Sequence, residues 1–169
     1  KMPIYITHTM NVFGQRQHPE KFIPMCIRKV NDGDPITIHS DSTRTIPGSR
    51  FYIHAADVAD AMQFLLELDD SKLEADYGDA KCPKFNLVGK QEINNLQLAQ
   101  IIADAQGKEL KYEMMDFHSA RPGHDLRYAL DGDYMRKLGW EPKVELTERI
   151  GEVVDWTLQN DRWLRCEDE

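Results

Sequence analysis

Apolar residues recur along this chain at two spacings, every second position in short runs and every third or fourth in longer ones. The first spacing marks strands, and the second marks helices with one buried face. Runs rich in β-branched and aromatic residues predict strands at Ile4–Thr7, Ile36–His39, Arg50–His54 and Phe85–Val88, with Leu110–Met115 extended. Phe22, Met25, Cys26 and Val30 share a helical face within Pro19–Asn31; Pro24 is tolerated there only near the first turn. Val58, Ala61, Met62, Leu65 and Leu66 form the stripe of a helix predicted over Ala55–Leu68. Asn94 is a natural N-cap for a helix carrying Leu98, Ile101, Ile102 and Ala105, which Gly107 closes. Asp131 and Gly139 bracket a short helix, and a last one runs from Thr147 to Asn160 with Ile150, Val153, Val154 and Thr157 inward. Ser40–Ser49 and Ser119–Arg127, dense in Ser, Thr, Asp, Pro and Gly, read as exposed loops.

Strands and helices alternate irregularly, without repeats, so the predicted fold class is a mixed α/β layer rather than a complete doubly wound sheet. With 169 residues, 41% of them hydrophobic, the chain has apolar material enough for one core. No run approaches the roughly 20 apolar residues of a membrane span, and no signal-peptide pattern is seen, so a cytoplasmic protein with no membrane partner is expected. A formal net charge of -8 disfavours nucleic acid, yet leaves room for an anionic small ligand where a few cationic side chains converge. Cys26, Cys82 and Cys166 are odd in number and lack C-x-x-C spacing, which points to idle thiols and no metal site.

Chemistry-bearing motifs are scarce. No G-x-G-x-x-G, P-loop, G-x-S-x-G or H-E-x-x-H string occurs, which removes the usual support for dinucleotide binding, phosphoryl transfer, serine hydrolysis and zinc proteolysis. A Y-x-x-x-K dyad is expected to be missing as well, so no catalytic residue is assigned. His8, His18, His54 and His118 share no ligand spacing and read as exposed or hydrogen-bonded side chains. Trp140, Trp156 and Trp163 read as packing residues.

Three blocks carry a resemblance. Asn11-Val12-Phe13-Gly14-Gln15-Arg16-Gln17-His18-Pro19-Glu20-Lys21-Phe22-Ile23-Pro24 is similar to N-x-[YF]-G-P-x-Q-x-P-E-K-L-I-P, with Gln15 in place of the proline. Arg50 to Ala59 is similar to R-x-[WF]-x-[YH]-V-x-D-x-A, and Arg121 to Asp131 to R-P-G-H-D-x-R-Y-A-x-D, preceded by Ala120 in place of an aspartate. Together with Phe85-Asn86-Leu87, Asn95-Leu96 and Leu138-Gly139-Trp140-Glu141-Pro142, they resemble the carboxyl-terminal part of the extended short-chain dehydrogenases/reductases. Within these they resemble the NAD-dependent epimerase/dehydratase family, and its dTDP-glucose 4,6-dehydratases above all.

The resemblance implies a substrate-binding domain lacking most of the Rossmann sheet. Residues 1–164 would form a nucleotide-sugar-binding portion, with 1–15 and parts of 50–70 at the edge of the dinucleotide domain and 165–169 a tail. Asn11, Lys21, Phe22, Thr37, Ile38, His39, Arg50, Asn86, Arg121 and His124 match positions that contact the nucleotide sugar, and Val12 matches one near the nicotinamide. Lys21, Arg50 and Arg121 would neutralise the diphosphate. The whole enzyme would use NAD to oxidise the hexose at C4, lose water across C5 and C6 and reduce C6. This chain would then be a fragment, inactive alone, with no NAD bound to it, whose partners are a nucleoside-diphosphate sugar and an amino-terminal Rossmann half; the full enzyme would be a homodimer. Other readings stay open: an epimerase or decarboxylase of the same superfamily, or a non-catalytic nucleotide-binding or interaction module.

Overall fold

The computed structural model describes residues 4–73, 82–117 and 125–165. Its first strand, β1, spans Ile6–Thr9, two residues later than the sequence pattern suggests, and β2 follows at Asn11–Phe13. Met10 sits between them, buried, and its N–H donates to the Leu87 carbonyl at 3.0 Å. Helix α1 covers Phe22–Asp32, with Pro24 in its first turn and left-handed Gly33 (φ 77°) ending it. Strand β3 (Ile36–Ser40), β4 (Ser49–His54) and α2 (Ala55–Leu66) come next, then β5 (Lys84–Leu87), β6 (Glu92–Asn94) and α3 (Asn95–Ala105). The chain continues with β7 (Tyr112–Asp116), β8 (Arg127–Tyr128), α4 (Asp133–Leu138) and α5 (Leu146–Leu158). The mixed α/β class is the observed one.

The strands form three small groups. β1 pairs in parallel with β5, β3 in parallel with β7, and β4 lies at the centre of the third. Its Tyr52–His54 half pairs in parallel with β2, while Ser49 and Arg50 pair with β6 on one edge and β8 on another. Neither β6 nor β8 is foreseen from the hydrophobic pattern. Each is two or three residues long and carries a charged side chain, so its pairing is decided by distant partners on β4.

Two apolar clusters fill the interior. The larger joins α1, α3 and α5 to β3 and β4 through Ile27, Ile36, Ile38, Leu98, Ile102 and Ile150, each fully buried. The inward set predicted for the last helix, Ile150, Val153, Val154 and Thr157, is buried as expected. The smaller cluster joins Ile53 of β4 and Phe85 and Leu87 of β5 to Ala61 and Leu65 of α2, with Met135 and Trp140. Here the sequence pattern overreaches: Met62 is 39% and Leu66 86% exposed. Ala61 and Leu65 mark the buried side of α2, and Met62 and Leu66 lie beyond it. No helix among the described residues is long and apolar enough to cross a membrane.

Candidate functional site

A cleft of about 610 Å³ opens between the start of α1, strand β3 and the first half of β4. Strand periodicity decides which β3 residues reach it. Ile36, Ile38 and Ser40 point inward, while Thr37 and His39 on the opposite face line the cleft. Ile38 is fully buried in the larger core, so its side chain is no contact residue, contrary to expectation. Along β4 the same period of two puts Arg50 and Tyr52 together on the cleft wall.

Lys21 and Phe22 enter from α1. Lys21 is the N-cap residue of that helix, its backbone extended (ψ 153°), and no side chain caps the helix end. The first turn holds no acidic residue, so the positive end of the helix dipole and the Lys21 ammonium lie on the same side of the cleft. Glu20 is the opposing charge at the rim; its backbone N–H donates to His18 Nδ1 at 3.3 Å.

Of the lining residues that were not predicted, Tyr52, Asn95 and Phe117 bear most on the shape of the cleft. Tyr52 donates its hydroxyl to Asn95 Oδ1 at 3.1 Å, and burial pushes its pKa up to about 12, so the phenol stays a neutral donor. Asn95 N–H donates to the Gly48 carbonyl at 2.9 Å, tying α3 to the rim. Phe117 packs edge-on against His39, ring centroids 5.7 Å apart, and supplies an apolar wall. The spacing Arg50-x-Tyr52 on one strand was the available signal for Tyr52. Phe117 follows directly on β7 and Asn95 opens α3, and no local pattern links either to β3.

Other predicted residues lie elsewhere. Asn86, on β5, donates its amide to the Asp131 carbonyl at 2.8 Å and holds the segment before α4, away from the cleft. Asn11 and Val12 sit on β2 opposite Tyr52 and Ile53, with Val12 42% exposed, and neither lines the cleft. Arg121 and His124 fall outside the described residues. Thus Lys21, Phe22, Thr37, His39 and Arg50 meet around one volume, and the expected meeting of three cations is shown for two of them. Trp140 is a packing residue as expected, its Nε1–H donating to Asp60 Oδ2 at 2.8 Å. The thiol of Cys26 is buried, and that burial raises its pKa. A Y-x-x-x-K spacing does occur once, at Tyr77 and Lys81, correcting the expectation that the chain has none. It lies outside the described residues and after the Asn11 block, whereas the dyad of the resembled family precedes that block.

Comparison with known proteins agrees with this architecture. A model of the NAD-dependent epimerase/dehydratase family matches residues 1–77. The low-salt glycan biosynthesis protein Agl12 of Haloferax volcanii is 32% identical over 160 residues, covering 95% of this chain and 46% of its own length. The dTDP-glucose 4,6-dehydratase of Haemophilus influenzae is 31% identical over 163 residues, covering 94% of this chain and 46% of its own. Among solved structures, DesIV, a dTDP-glucose 4,6-dehydratase from Streptomyces venezuelae with NAD bound, superposes with a TM-score of 0.72. It is 28% identical and covers 96% of this chain and 46% of its own. The UDP-glucuronic acid 4-epimerase of Bacillus cereus shares the fold, with a TM-score of 0.75 at 21% identity over 94% of this chain and 46% of its own. The shared architecture is that of the extended short-chain dehydrogenases/reductases. This chain is similar to members of the NAD-dependent epimerase/dehydratase family, and it spans about half the length of these relatives.

Proposed function

We propose that this chain is the substrate-binding portion of a nucleotide-sugar 4,6-dehydratase and that the α1–β3–β4 cleft holds a nucleoside-diphosphate hexose. The observation that carries the reading is the meeting of Lys21, Arg50 and the uncapped start of α1 beside the aromatic walls of Phe22 and Phe117. A diphosphate asks for fixed positive charge and N–H donors, and a nucleobase asks for a flat apolar face. The volume lies within the range of small-ligand sites. The dehydratases among the relatives favour this chemistry over an epimerase or decarboxylase.

NAD is the cofactor of the family, and the residues present here do not fit it. Its pyrophosphate needs a glycine-rich turn between a strand and a helix, and the sequence holds no such motif. Val12 offers a single apolar contact. The work of this chain is therefore binding and orientation: remote contacts to the nucleotide and diphosphate fix where the hexose sits. Residues 1–15 and parts of 50–70 would stand at the edge of a dinucleotide domain, and residues up to 164 would complete the sugar-nucleotide site.

Calorimetric titration of the chain with dTDP-, UDP-, CDP- and GDP-sugars tests the reading. Saturable binding is expected, weakened about tenfold or more by Arg50→Ala, because a sheltered charge-assisted hydrogen bond contributes roughly 1.5 to 3 kcal/mol. If all four ligands bind equally well to the wild type and to a Lys21→Ala, Arg50→Ala double variant, the cleft is not a diphosphate site. An absence of binding to any of them would favour the non-catalytic module.

A further inference from the structure

A second, much smaller cavity of about 10 Å³ lies away from the cleft, where the β4–α2 junction faces α5. His54, Asp57 and Arg149 line it together with Phe13, Ile53 and Leu146. His54 is 5% exposed and N-caps α2: its Nδ1 accepts the Ala56 N–H at 3.2 Å. An imidazole nitrogen that accepts carries no proton, so in the neutral ring the proton is on Nε2, which is a donor. That Nε2 is buried and has no hydrogen-bond partner among the described residues.

Arg149 repeats the situation from the other wall. Its Nη2 donates to Asp57 Oδ1 at 3.0 Å and its Nη1 to Glu152 Oε2 at 3.1 Å, while its Nε is buried without a partner among the described residues. Buried donors are nearly always satisfied, since an unmade bond costs about 1 to 3 kcal/mol. Two unmet N–H groups on residues that line the same cavity therefore ask for one shared acceptor.

We propose that a single ordered water molecule fills this cavity, accepting from His54 Nε2–H and Arg149 Nε–H. The volume is about that of one water and excludes any carbon-bearing ligand. A halide could accept the same two bonds, but the Asp57 carboxylate lines the cavity and Glu152 pairs with the same guanidinium. Negative charge on two sides favours a neutral guest, and a water can also donate to Asp57. The water would pin the N-cap of α2, part of the smaller apolar cluster, to α5, part of the larger one. His54 packs edge-on against Phe13 at 5.3 Å, so the same pin would steady the root of the segment that leads to Lys21.

A crystal structure of the 169-residue chain at a resolution that shows ordered solvent, and ¹⁵N NMR of the His54 ring, test the proposal. The expected result is a density peak within about 3 Å of both His54 Nε2 and Arg149 Nε, together with the Nε2–H tautomer. His54→Asn keeps an N-cap acceptor, but its amide N–H sits on a shorter side chain and does not stand where the imidazole Nε2–H does, so the peak should be lost. A dry cavity in the wild type, a ring protonated on Nδ1, or an anomalous signal at the site after bromide soaking would each overturn the assignment.

Discussion

At Gly89 an added Cβ would stand 2.0 Å from the Tyr52 carbonyl oxygen, far inside contact distance, with the backbone of β4 as the obstacle. Backbone cannot rotate aside as a side chain can. Gly89→Ala is expected to destabilise the fold by at least about 2 kcal/mol, read as a lower denaturation midpoint; an unchanged midpoint would show that the approach relaxes freely. Tyr52 also lines the cleft, so the same variant should weaken ligand binding. None of this was visible in the sequence, where Gly89 looks like any turn residue. Lys21 and Arg50 sit within the local blocks that carry the resemblance, whereas Thr37 and His39 lie outside them and reach the cleft through the period of two along β3. Asn86 stands outside the cleft because its amide is held by the Asp131 carbonyl, a partner 45 residues away that no local pattern reveals.

Among the elements, α3 shows how much a local code can specify. Asn94 Oδ1 accepts the Gln97 N–H at 2.8 Å and Gln97 Oε1 accepts the Asn94 N–H at 3.4 Å, a reciprocal capping box. Asn94→Ala should cost about 1 kcal/mol, measured by chemical denaturation. A value near zero would mean that packing of Leu98 and Ile102 alone holds the helix. Helices of this kind were legible because cap, stripe and stop all lie within a dozen residues. β6 and β8 were not, since a strand of two or three residues is defined by its neighbours on β4 and not by its own pattern.

For the whole molecule the polar group between the two apolar clusters sets the pH response. Burial, then the nearby Arg149 guanidinium, holds the His54 pKa below its ordinary 6.5, against the opposite pull of Asp57 and Glu152. A lowered folded-state value means that the unfolded chain takes up the proton first. The stabilisation is complete above the unfolded value and is lost as pH falls through the folded one. Thermal midpoints between about pH 7.5 and pH 5.5 should therefore fall more steeply for the wild type than for His54→Asn. Parallel slopes would show that the imidazole contributes nothing. The crossing at Met10 has a consequence for motion as well. One flank of that residue is bonded into the β1–β5 pair and the other into β4, so twisting the peptide there would break ladder bonds in two sheets at once. Met10 is a clasp rather than a hinge, and the floor beneath the cleft is held at a fixed angle to the β1–β5 pair.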